Sequence, residues 1–131
     1  MKILVTGGSG LVGSAITAHF KPSRDELDLM DFDSVVDYIE ENEITHIIHC
    51  AARVGGLKAN MEHLGEFFYE NIIINTNVLE AARRCGVEKV VSFMSTCVFP
   101  DDATHPLSPD QIHNGEPHSS NYAYAYAKRM L

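Results

Sequence analysis

The sequence predicts an α/β fold, a doubly wound parallel sheet with helices between its strands. Three observations predict it. Short apolar, β-branched runs recur at residues 2–7, 45–52 and 88–96. Segments with helical periodicity fall between them, and the first run ends in a glycine-rich turn. Strands alternating with helices require crossover connections, and these place neighbouring strands parallel.

Taken in order, "KILVTG" (Lys2 to Gly7) reads as a buried strand, and "LVGSAITAHF" carries apolar residues at helical spacing. The stretch "KPSRDELDLMD" offers only Leu27 and Leu29 as strand material, so the second strand is expected to be very short or irregular. "DFDSVVDYIEENE" predicts a helix opened by Asp33 or Ser34, with an acidic first turn. "THIIHCAA" is a second buried strand. A long helix is expected from about Asn60 to Cys85, ended by Gly86. "EKVVSFMST" is a third clear strand. Residues 100–120 are rich in Pro, Asp, His, Asn and Ser and predict a long loop, a length that usually serves function. A closing helix starts at Tyr122.

Composition narrows the function. A chain of 131 residues has the length of one domain. Its net charge of −8 argues against a nucleic-acid binder, which shows a basic stripe. No apolar run is long enough to span a bilayer, and the first residues read as no signal peptide. Cys50, Cys85 and Cys97 are odd in number and lack CxxC spacing, which suits reduced thiols in the cytoplasm. No spacing of His and Cys suggests a metal site.

"TGGSGLVG" satisfies GxGxxG through Gly8, Gly10 and Gly13, and GxxGxxG through Gly7, Gly10 and Gly13. It follows a strand and opens a helix, the setting in which glycines let backbone N–H groups approach a pyrophosphate in a Rossmann-like sheet. The alternative is a plain tight turn between strand and helix. Which dinucleotide binds stays open on the residues: Lys21 and Arg24 precede the acids Asp25, Glu26 and Asp28, and an acid suits a ribose hydroxyl, whereas Arg24 either forks onto a 2′-phosphate or is a solvated loop residue.

Tyr124 and Lys128 form YxxxK, one helical turn apart. An adjacent ammonium is expected to lower a tyrosine pKa that is ordinarily about 10, so that Tyr124 can exchange a proton with a carbonyl oxygen as a nicotinamide exchanges hydride. Ser95, at the end of a strand, is placed to polarise that carbonyl. Tyr122 and Tyr126 do not share the spacing and are expected to pack or to rim the site. Cys97 on its own reads as a small buried hydrophobe.

These residues, with "AARVGGLKAN", "ENIIINTNVLEAA", "STCVFP", "IHNGEPHSSN" and "YAYAKRM", resemble the extended short-chain dehydrogenase/reductases. Within them the chain is similar to the branch that epimerises and reduces a 4-keto GDP-sugar. The resemblance implies a reductase triad of Ser95, Tyr124 and Lys128, and it makes Cys97 an acid/base for epimerisation. It implies NADPH as cofactor, held by Gly7, Gly10, Leu11, Val12 and Gly13, by Ala51, Ala52 and Val54 after the second clear strand, and by Lys128. Arg24 is then expected at the 2′-phosphate, with Asp28 and Leu29 at the adenine. His105, His113 and His118 are taken as loop or substrate-rim residues, because none matches the family's second epimerisation residue. A homodimer through the helix at about 60–85 and the helix from Tyr122 is also implied. Family members are longer, so residues 1–131 are expected to form an incomplete dinucleotide-binding domain. The last sheet strands and the substrate domain are expected to be missing, leaving Tyr124 and Lys128 on a frayed helix end. Two other readings remain: another nucleotide-sugar epimerase or dehydratase, and a non-catalytic module that binds a dinucleotide or dimerises.

Overall fold

A computed structural model describes residues 1–131. The chain divides into two compact units, Met1–Ala52 with Ile73–Phe93, and Arg53–Ile72 with Met94–Leu131.

The first unit is built on a parallel sheet of β1 (Ile3–Thr6), β2 (His46–His49) and β3 (Lys89–Ser92), in that order. Thr6, His49 and Ser92 stand in register at the carboxyl ends. This is the Rossmann-like arrangement expected from the alternation of elements. Its core joins Leu4 and Ile47 of the sheet to Val35, Val36 and Ile39 of α2 (Phe32–Glu41) and to Val78, Ala81 and Ala82 of α4 (Leu64–Arg84). Each of the larger aliphatic side chains contributes about 1.5–3 kcal/mol by leaving water. Helix α2 is capped by Asp31, not by Asp33 or Ser34: the Asp31 carboxylate accepts from the N–H groups of Asp33 at 3.1 Å and Ser34 at 3.4 Å. Phe32, one residue after the cap, is then free to pack against the core.

The first helix is shorter than its sequence suggests. Helix α1 (Leu11–Ala15) stops before Ile16, which is extended. Ile16 and Thr17 are β-branched and hold a helix poorly. The chain then runs out to Phe20, which bridges in parallel to β1: Val5 N–H donates to Phe20 O at 2.9 Å, and Phe20 N–H donates to Ile3 O at 3.1 Å. The second strand is therefore one bridging residue at Phe20, and it does not lie at Leu27 and Leu29. Leu27 is instead buried in the core as part of a turn segment, and Leu29 packs beside it.

The end of the sheet holds a buried polar chain. Ala51 N–H donates to Thr6 Oγ1 at 3.4 Å, Thr6 Oγ1 lies 2.7 Å from His49 Nδ1, and His49 Nε2 lies 3.1 Å from Asn75 Oδ1. All three side chains are at most 2% exposed. Replacing His49 with alanine takes one buried partner from the Thr6 hydroxyl and one from the Asn75 amide oxygen and leaves a cavity, and it is expected to cost about 3 kcal/mol, read from the urea midpoint. On the far side of the sheet, β3 pairs only with β2, and Val91 is 43% exposed.

The expected helix from about Asn60 to Cys85 is two helices, α3 (Leu57–Glu62) and α4, separated at His63. Gly86 ends α4 with φ +69°, a left-handed conformation that glycine adopts without penalty.

In the second unit, Asn71 clamps the segment that follows β2. Its Oδ1 accepts Arg53 N–H at 2.9 Å, while its Nδ2 donates to the carbonyls of Arg53 at 3.0 Å and Phe67 at 2.7 Å. Arg53 also pairs with Glu70 and lies over the Phe67 ring. Residues 100–120 form the long loop, with short 3-10 turns and an antiparallel bridge between Pro100 and Pro117, and α5 (Tyr122–Arg129) follows. Helix α5 is not frayed. Ala123, Ala125, Ala127, Lys128 and Arg129 are buried, and Arg129 Nε donates to Val98 O at 2.6 Å. The Tyr122 and Tyr126 rings pack with centroids 4.7 Å apart and planes tilted by 60°, with the Arg129 guanidinium over Tyr126.

Candidate active site

In the first unit the glycine turn is closed by main-chain bonds, Gly10 N–H to Gly7 O at 3.0 Å and Ser14 N–H to Gly10 O at 2.9 Å. Gly7 has φ +70°, and a Cβ there would stand 2.8 Å from the Ala51 backbone. A Cβ on Gly13 would stand 2.3 Å from Gly7 O. No side chain larger than hydrogen fits at either position, so the turn offers bare backbone to a ligand. That is the cradle a pyrophosphate needs. Leu11 and Val12 are exposed beside it, and Ala51 and Ala52 are half-buried just past β2. Arg24 is exposed in a turn. The Asp28 carboxylate accepts Met30 N–H at 3.0 Å, and Leu29 is turned partly into the core.

In the second unit, Ser95 caps the 3-10 turn Thr96–Val98, its Oγ accepting Cys97 N–H at 3.2 Å. The same hydroxyl lies close enough to the Tyr124 phenol to favour its ionised form. The local fold explains this pairing: the Arg129 bond to Val98 O ties α5 to the turn that carries Ser95 and Cys97. Lys128, one helical turn after Tyr124, is 2% exposed. Val54 is exposed in this unit, 71% accessible. Cys97 opens onto a cavity of about 240 Å³, which is also lined by Phe99, Asp101, His105, Leu107 and His118. His118 is fixed there by its Nδ1, which accepts Ser120 N–H at 3.2 Å. His105 and His118, expected in the loop or at the rim, reach the Cys97 cavity only because the loop folds back, while His113 is exposed and does not line it.

The electrostatics of Tyr124 differ from expectation. Burial pushes its pKa above the ordinary value, any negative charge on Cys97 adds to that, and the Ser95 hydroxyl pulls it down. In this chain desolvation of the phenolate outweighs stabilisation, so Tyr124 holds its proton at neutral pH and is set up as a donor. Because the folded pKa is raised, the stability this group contributes is present below pH 10 and is lost as pH rises beyond the folded value. An absorbance titration at 295 nm, read as wild type minus Tyr124→Phe, is expected to place this phenolate above free tyrosine. A midpoint at or below about 10 would contradict the burial effect.

The model of the NAD dependent epimerase/dehydratase family matches residues 3–131. The chain belongs to that family. Among its members, the GDP-L-fucose synthase of Dictyostelium discoideum is 49% identical over 98% of this chain and 44% of its own length. That of Escherichia coli is 32% identical over 97% and 42%. Among solved structures, a GDP-L-fucose synthetase from Naegleria fowleri bound to NADP superposes with a TM-score of 0.86 at 41% identity, covering 98% of this chain and 41% of that one. The chain thus spans less than half the length of these relatives. No helix in it is long and apolar enough to cross a membrane.

Proposed function

We propose that these residues are the cofactor-binding and acid–base part of an NADPH-dependent enzyme that epimerises GDP-4-keto-6-deoxy-D-mannose at C3 and C5 and reduces it at C4, giving GDP-L-fucose. The observation that carries the reading is the convergence of Ser95, Tyr124 and Cys97: Ser95 acts on the Tyr124 phenol and caps the 3-10 turn that carries Cys97 two residues on. Gly7, Gly10 and Gly13, with Leu11, Val12, Ala51, Ala52 and Val54, hold the dinucleotide. Arg24 and Lys128 add positive charge, and Asp28 and Leu29 meet the adenine. NADPH, when bound, supplies the hydride. Tyr124 donates its proton to the C4 oxygen, and Ser95 orients that oxygen by hydrogen bonding. Cys97 removes the protons at C3 and C5, which the C4 carbonyl acidifies, and a second acid, which none of His105, His113 and His118 matches, returns a proton to the opposite face of each carbon. We place the protein in the cytoplasm, as a homodimer through α4 and α5. Leu64, Phe68 and Tyr69, apolar and exposed along one side of α4, support that pairing.

The test is a chimera in which residues 1–131 replace the matching part of the Dictyostelium relative. Sugar-dependent NADPH oxidation that yields GDP-L-fucose supports the reading. A well-folded chimera that binds NADPH but never oxidises it leaves a dinucleotide-binding module, and a product with the other C4 configuration assigns a different epimerase of the family.

A further inference from the structure

The single-residue second strand has a consequence for cofactor choice. In sheets of this kind the residue just past strand two reads the adenosine ribose: an acid there bonds the 2′-hydroxyl, and a cation accommodates a 2′-phosphate. The residue just past the Phe20 bridge is Lys21. Its side chain lies along the glycine turn, 2.9–3.3 Å from where a Cβ on Gly8 would stand. Its ammonium is held at the end of α1 by the carbonyls of Ser14 at 3.2 Å and Ile16 at 3.0 Å. These are neutral acceptors, so its charge is not cancelled by a carboxylate.

The nearby acids are occupied elsewhere. Glu26 accepts Ser23 N–H at 2.7 Å and the Ser23 hydroxyl at 2.9 Å, and Asp28 accepts Met30 N–H. Neither is engaged with Lys21, and the position that would carry the ribose-reading acid carries a lysine.

We infer that Lys21 is a specificity-determining residue of the dinucleotide cradle, contacting the 2′-phosphate and setting the preference for NADP over NAD. The early end of α1 is what makes this possible, because it brings residue 21 back over Gly8. The inference rests on the dinucleotide reading of the glycine turn and adds to it which residue discriminates.

The experiment is calorimetric titration of the 131-residue chain with NADP and with NAD. Wild type is expected to prefer NADP, and Lys21→Met to lose about tenfold or more in NADP affinity with NAD affinity unchanged, the effect of removing one charge-assisted contact. Lys21→Arg is expected to keep the preference. Equal losses for NADP and NAD would assign Lys21 a purely structural role and overturn the inference, as would a preference that survives Lys21→Met and disappears in Arg24→Met. Wild type binding neither nucleotide would reject the cradle itself, and the inference with it; binding both equally would reject the inference alone.

Discussion

Alanine at position 13 is expected to abolish tight dinucleotide binding and to weaken the fold. The added methyl would stand 2.3 Å from Gly7 O and 2.9 Å from Gly7 C, and both are backbone atoms of the turn it must preserve. Overpacking of this kind costs about 1–3 kcal/mol. Because the atoms displaced are those of the cradle, the loss of affinity is expected to be at least about thirtyfold. Titration with NADPH, alongside a urea midpoint, measures both effects. Gly8→Ala is no neutral comparison, since its methyl would stand 2.9 Å from Lys21 Cβ and displace that side chain. Gly56→Ala meets nothing within 4 Å and should be silent. Equal affinity in Gly13→Ala and wild type would mean that the turn is not where the dinucleotide sits.

Tyr124→Phe is expected to lower the rate of sugar-dependent NADPH oxidation in the chimera by on the order of 10²- to 10⁴-fold, the usual contribution of a positioned proton donor. Affinity for NADPH should not move, because the ring and its burial are kept and only the hydroxyl is lost. Ser95 keeps its bond to Cys97 N–H in this variant, so the turn is preserved. Cys97→Ser should separate the two half-reactions. Exchange of solvent deuterium into C3 and C5 is expected to disappear, while Tyr124 still supports hydride uptake at C4. A Tyr124→Phe chimera that turns over at the wild-type rate would remove the phenol from the mechanism.

Much of the fold was legible because it is written in local pattern. The three strands announce themselves as β-branched runs, and Gly86 marks its helix end through a backbone requirement only glycine meets cheaply. The misread elements share a cause: their outcome depends on partners distant in sequence. Residues 16–20 have helical periodicity, yet Phe20 gains a bridge to β1, and the helix yields. Leu27 and Leu29 were the apolar residues in reach, but the core took Leu27 from a turn segment. Asp31 outcompeted its neighbours as a cap because its carboxylate reaches two N–H groups. At the site, YxxxK and the strand-end serine could be found by spacing and by resemblance. The approach of Ser95 to Tyr124 could not, since it depends on Arg129 fastening α5 to the 3-10 turn. The direction of the Tyr124 pKa was equally hidden, because a sequence shows the neighbouring lysine but not how far the ring is withdrawn from water.

The outer side of β3 bears on how the polypeptide can be handled. A strand hydrogen-bonded on one flank only is a template for whatever extended chain it meets, and Val91 adds an apolar contact to that invitation. Concentrated solutions of the 131 residues should therefore form soluble aggregates or fibrils by strand addition. Lys89, exposed at the start of the strand, opposes this with its charge. Light scattering should fall when Val91 is replaced by lysine, because a second charge on the strand opposes its pairing with another chain.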